Sequence, residues 1–157
     1  MNSRDVFDYY SDDSNAKIKE YIRKEEAKKW REAYDFRHNV KFEDLLGKTL
    51  LSCKRVKSIS DKDELYFITD KDESFILFHN QDCCESVFIE DLCGDLEDLV
   101  GSPLLLAEEV INEDTCEDEE QCWTFYKLST IKGSVTIRWY GSSNGYYSVS
   151  VNFERIS

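Results

Sequence analysis

Residues 78–99 read FHNQDCCESVFIEDLCGDLEDL, a stretch that sets His79 close to Cys83 and Cys84, with Cys93 a strand's length further on. Imidazole and thiolate are the side chains that hold zinc or soft metals, and paired thiols also exchange with disulfides. Structural zinc normally takes pairs of cysteines two to four residues apart, and this spacing is absent here. On an extended strand, adjacent side chains point to opposite faces, so Cys83 and Cys84 are expected to diverge, one packed as a small hydrophobe and one near the surface. A bond between them needs an eight-membered ring and is not expected. His79, Cys83 and Cys84 remain the weak candidates for a metal, and no cofactor is expected.

The remaining chemistry is thin. His38 and His79 are the only histidines. No G-x-S-x-G, phosphate-binding glycine loop or H-E-x-x-H occurs. Asp61, Asp63 and Glu64, and again Asp70, Asp72 and Glu73, resemble the start of a calcium loop. Both runs lack the glycine at position six and the glutamate at position twelve. Asp91, Asp95 and Asp98 have spacings that share a helical face, which reads as solvated acids on a short helix. The expectation is therefore a protein that is not an enzyme.

Charge is more informative. The 157 residues sum to -13, with the excess in one block. Residues 61–120 hold 21 acids against Lys62 and Lys71. Residues 41–60 and 121–157 are each net basic, and residues 1–40 are neutral. Such a block repels nucleic acid and speeds encounter with basic surfaces. The partner residues expected from it are Asp91, Asp95, Glu97, Asp98, Glu113, Asp114, Glu117, Asp118, Glu119 and Glu120. The partner expected is a host protein or nucleoprotein complex with a basic surface, without direct contact to nucleic acid.

The elements that must position these groups follow from periodicity. Residues 1–12 read as frayed or partner-dependent. Asp13, Ser14 and Asn15 offer caps for a helix over 17–36, rich in Ala, Glu, Lys and Arg and free of Gly and Pro. Lys17, Lys24, Lys28 and Arg31 share one face of it, with Trp30 in an apolar patch. Lys24, Lys28, Trp30 and Arg31 mark this arm as a second contact, and Tyr21, Ile22 and Trp30 as a means of pairing two protomers. A short helical turn at 42–46 ends at Gly47.

From Lys48 the pattern turns to short β-rich runs divided by charged turns: 48–56, 64–69, 74–79, 87–92 and 104–111. Residues 111–121 read as an acidic loop. Three further strands are expected at 122–129, 133–140 and 145–156. The last two form a hairpin about GSSNG, with Trp139 and Tyr140 paired across it to Tyr146 and Tyr147 rather than stacked on single-stranded bases. The class is α+β: a helical arm over 1–40, then an acidic, mostly antiparallel, curled or barrel-like sheet domain over 41–157. Nothing in the chain reads as a signal peptide or bilayer span, so the cytoplasm and reduced thiols are expected.

The strings QDCCES and WYGSSNGYY, within residues 42–156, resemble a family of small phage and bacterial proteins without an assigned function. The helical arm lies outside the resemblance. It implies a phage or mobile-element setting, in which small acidic proteins often inhibit host enzymes that handle nucleic acid. The function expected on these grounds is a non-catalytic, acidic, phage-type inhibitor of a host nucleic-acid-handling or defence complex, acting by DNA mimicry and steric blocking. The alternatives are a small metal- or nucleotide-dependent enzyme around His79, Cys83 and Cys84, and a phage structural or assembly component.

Overall fold

The computed structural model describes the backbone of residues 5–116 and 119–157, and the side chains of 14–112 and 120–157. The chain divides into two compact units, Met1–Arg37 and His38–Ser157. The first is essentially one helix, α1 (Asp5–His38). Its 34 residues span roughly 51 Å at 1.5 Å per residue. The expected start at residues 13–15 is corrected: Ser14 and Asn15 lie inside the helix. A cap residue stops a helix only where the preceding chain leaves it, and no Gly or Pro interrupts residues 5–15.

The second unit carries eight strands in two antiparallel sheets. The first sheet contains β1 (Leu50–Lys57), β2 (Asp63–Thr69), β3 (Ser74–Phe78) and β8 (Asn152–Arg155), in the order β1-β2-β3-β8. The second contains β4 (Ser86–Cys93), β5 (Leu106–Cys116), β6 (Glu119–Thr130) and β7 (Gly133–Ser143), in the order β4-β7-β6-β5. The class is α+β, and the strands form two separate sheets instead of one closed barrel.

Alternation explains the core. Leu65 and Phe67 of β2, Phe75 and Leu77 of β3, and Val135, Ile137 and Trp139 of β7 are all buried in one cluster. Their period of two puts one face of each sheet inward. Phe42, on a 3-10 turn (Phe42–Leu45), ties the sheets together. Its ring lies 5.4 Å from Phe153 and 6.1 Å from Phe67 in the first sheet, and 4.6 Å from Tyr126 in the second. Edge-to-face contacts of this kind add to the area that the ring buries.

Two expectations about strands are corrected. Residues 111–116 and 119–121 are strand and not loop, because β5 and β6 stay paired out to Cys116 opposite Glu119; residues 117 and 118 lie outside the described residues. A ladder already in register over 106–112 extends its hydrogen bonds through acids that propensity alone would leave in coil. The expected hairpin about GSSNG also does not form. β7 is flanked on both sides, by β4 (Ser86 opposite Ser142) and by β6 (Glu120 opposite Ser143). A returning strand finds no free edge there. The chain therefore crosses over, and only Asn152–Arg155 becomes a strand, beside β3. The crossing lies against Gly141, where a Cβ would sit 2.7 Å from the Val149 Cβ.

Trp139 is accordingly buried and Tyr146 exposed. The rings that pair with Tyr140 are Trp123, at 5.1 Å, and Phe88, at 5.8 Å. Among the described residues no helix is long and apolar enough to cross a membrane.

Candidate functional site: the two crossings between the sheets

The chain passes between the sheets at residues 79–85, from β3 to β4, and at 144–151, from β7 to β8. These crossings meet. One His79 ring nitrogen, Nδ1, lies 2.7 Å from the Ser150 carbonyl oxygen, and the Asn80 N–H donates to Asn152 Oδ1 at 3.1 Å. The other ring nitrogen, Nε2, lies 2.9 Å from Glu85 Oε1. The His79 side chain is 5% exposed and that of Glu85 is wholly shielded.

Partner chemistry sets the polarity of these contacts. A carbonyl oxygen only accepts, so Nδ1 donates to Ser150. Glu85 also receives the N–H groups of Asp82, at 2.6 Å, and Cys83, at 3.0 Å. The Asp82 N–H, with those of Cys83 and His79, outweighs burial and brings the Glu85 carboxyl down to about 2. It is therefore ionised, and Nε2 donates to it as well. Both His79 ring nitrogens are thus engaged, one at the Ser150 carbonyl and the other at the Glu85 carboxylate.

Gln81 completes the loop. Its Nε2 donates to the carbonyls of Cys83, at 3.3 Å, and Glu85, at 2.8 Å. Its Oε1 is buried without a donor. A polar cleft of about 410 Å³ opens beside it, lined by His79, Asn80, Gln81 and Asp82 from one crossing and Ser148, Ser150 and Asn152 from the other.

The expectation for the adjacent cysteines is overturned. Cys83 and Cys84 are both exposed and are joined as a vicinal disulfide. Strand alternation does not apply to them, because they lie on a bend before β4 starts. The small buried thiols are Cys53 and Cys122. Burial, with the Glu97 charge second, pushes the Cys53 thiol up to about 12. Cys93 is exposed at the far end of β4. Among the described residues no group of three His, Cys, Asp or Glu side chains is placed to hold a metal.

The acidic block is not one surface. Asp63 is buried, 3.0 Å from Arg55 and 3.2 Å from Lys57, and accepts the Ile89 N–H at 2.9 Å. Burial raises its carboxyl, but these three partners win and hold it below the ordinary carboxylate range. Glu73 meets Lys48 at 2.7 Å, Glu90 meets Arg138 at 3.0 Å, and Glu109 accepts the Tyr126 hydroxyl at 2.7 Å. The two basic segments that flank the block in sequence thus supply counter-charges to Asp63, Glu73 and Glu90 in space.

The expected partner residues separate accordingly. Asp91 lies on β4 opposite Arg138, not on a helical face with Asp95 and Asp98. Asp95 caps a four-residue 3-10 turn (Leu96–Leu99) by accepting the Glu97 N–H at 3.0 Å. Glu97 is exposed, whereas Asp98 is half-buried and its carbonyl accepts the Thr130 hydroxyl. Glu120 is half-buried on β6. The side chains of Glu113, Asp114 and Glu119 lie outside the described set, and Glu117 and Asp118 lie outside the described residues altogether. On α1, Lys24 pairs with Glu20 at 2.8 Å and Lys28 with Glu32 at 4.0 Å, so the basic stripe is laced with acids. Trp30 and Arg31 are exposed.

Glu85 is the residue that sequence reading missed. The signal was present: 85, 87 and 89 alternate on one face, and Val87 and Ile89 are plainly core residues. Ser150 and Asn152 left no such trace.

A domain of two antiparallel sheets, with its crossings locked by a buried His-Glu pair, is the class of protein this geometry defines. Residues 43–153 match the family described as Domain of unknown function (DUF7448), and the chain belongs to that family. The match leaves out α1, as the resemblance in the sequence implies. No curated protein and no solved structure matches the chain.

Proposed function

We propose that this chain is a non-catalytic interaction protein of the phage type, working in the host cytoplasm. It binds a host nucleic-acid-handling or defence complex through that complex's basic surface, and blocks it by charge mimicry and bulk. The observation that supports the reading is where the β5–β6 ladder places an acid-rich stretch of the sequence. Some acids of the block, among them Asp63, Glu73 and Glu90, are compensated inside the fold. The backbone of β5 and β6 stays paired from Glu113 opposite Cys122 to Cys116 opposite Glu119, reaching past Ser143, the last residue of β7, which lies opposite Glu120. Charge concentrated toward one end of a paired ladder favours encounter with a basic groove. The arm α1 supplies a second contact, or pairs two protomers through Tyr21, Ile22 and Trp30.

The test is affinity capture from host lysate at physiological and raised salt. It is repeated with Glu113, Asp114, Glu117, Asp118, Glu119 and Glu120 changed to their amides. Screening shortens the reach of charge from roughly 8 Å at 0.15 M to roughly 3 Å at 1 M. Capture of a nucleic-acid-handling or defence complex, lost in high salt and in the amide variant, is the expected result. Capture that survives both removes charge mimicry from the account.

A further inference from the structure

The vicinal disulfide sits where a change in it is felt. Cys83 and Cys84 are both exposed residues, whereas Cys53 and Cys122 are buried. Both backbone polar groups of Cys83 are held by side chains of its own loop: its N–H by Glu85 and its carbonyl by Gln81. The same Glu85 carboxylate holds His79, which anchors the other crossing at Ser150. We propose that Cys83 and Cys84 form a thiol–disulfide exchange site for cationic low-molecular-weight disulfides, and that its redox state is read by residues 79–85.

The chemistry is a two-electron exchange. In the reduced pair, one thiol loses its proton and its sulfur attacks a disulfide RS–SR. The RS–SR bond breaks, a mixed disulfide forms, and RS⁻ leaves and takes up a proton. The neighbouring thiolate then attacks the cysteine sulfur of the mixed disulfide. The vicinal bond closes and the second RS⁻ leaves as RSH. Two cysteine thiols are oxidised and one RSSR is reduced to two RSH; excess RSH runs the sequence backwards.

Charge selects the reagent. Asp82 is exposed beside the cysteines, and no Lys or Arg occurs in the sequence between residues 72 and 126. An anionic disulfide is repelled from this site and a cationic one is drawn to it. The pairing inside the loop explains how the state is read: opening the ring releases Cys83 from the short bend in which Glu85 and Gln81 hold it.

The experiment uses the full chain, reduced and then exposed to cystamine, 2-hydroxyethyl disulfide or oxidised glutathione at equal concentration. Alkylation and peptide mapping follow the fragment that carries residues 83 and 84, so that Cys93 does not confuse the count. The expected result is a fragment two hydrogens lighter that takes no alkyl group, formed fastest with cystamine and slowest with glutathione disulfide, the gap narrowing in high salt. Hydrogen exchange at the Asp82 and Cys83 amides rises about tenfold on reduction, as a local opening requires. A fragment that still takes two alkyl groups after oxidation overturns the site. Equal rates for the three reagents overturn the charge selection, and unchanged amide exchange overturns the reading by the loop.

Discussion

His79 Nε2 faces Glu85 Oε1 across 2.9 Å, and neither side chain is more than 5% exposed. The pair joins the crossing that enters β4 to the one that enters β8, because Nδ1 of the same ring reaches Ser150. A buried ion pair of this kind adds little over an apolar substitute of equal shape, but it is costly to break from one side. Its role here is to specify how two irregular segments pass each other.

Removing one partner should therefore be worse than removing both. Glu85→Gln leaves the buried His79 ring without its carboxylate partner and deprives the Asp82 and Cys83 N–H groups of a charged acceptor. The midpoint of urea unfolding should fall with the slope unchanged. In a double-mutant cycle, His79→Gln on top of Glu85→Gln should cost less than the two single changes summed. Strict additivity would show that the pair is not coupled.

The same carboxyl sets an acid limit. Its folded value, about 2, lies below the ordinary 4.5, so the folded state binds the proton more weakly than the unfolded chain does. The stabilisation is complete above 4.5 and is lost as pH falls toward about 2. Asp63, also depressed, adds to the loss in the same direction. Stability followed from pH 6 to pH 2 should drop less steeply in Glu85→Gln than in the parent chain; parallel curves would contradict the assignment.

Gly141 is the contact that lets the last crossing lie flat. In Gly141→Ala the new methyl would stand 2.7 Å from the Val149 Cβ and 2.9 Å from its carbonyl oxygen, both on packed chain. Overpacking of this sort costs about 1–3 kcal/mol. Urea unfolding measures it, and the His79 ring N–H resonances should shift, since Ser150 follows Val149. No change in either would mean that the crossing is free to move.

Phe42 tests whether the two sheets share one core. Its ring touches Phe67 and Phe153 on one side and Tyr126 on the other. Phe42→Ala should destabilise the sheet domain by about 3–5 kcal/mol. Near-ultraviolet signals from aromatic groups of both sheets should be lost in one transition. Two separate transitions would show that the sheets unfold independently.

Asp63 separates charge from hydrogen bonding. Asp63→Asn keeps an acceptor for the Ile89 N–H but loses the pairing with Arg55 and Lys57, and should cost less than Asp63→Ala. The alanine change leaves a buried N–H unpaired, a loss of about 1–3 kcal/mol. Equal costs would place the whole effect in the ion pairs.

Local pattern determined much of this protein. The α+β class, the long helix, most strands from Leu50 to Ser143 and the inward faces of β3 and β7 all follow from period and turn chemistry, which act over a few residues. The helix start was misread because a cap is a cap only if the chain outside turns away. The length of the β5–β6 ladder and the failure of the final hairpin were decided by which strand edges were already occupied. Pairing of the flanking basic segments with the acidic block joins charges that are distant in sequence. The site itself shows the same division. His79 and the two cysteines stand out by residue type, and Glu85 by alternation. Ser150 and Asn152 join them only through the crossing of two segments about 70 residues apart, and no local period records a contact at that separation.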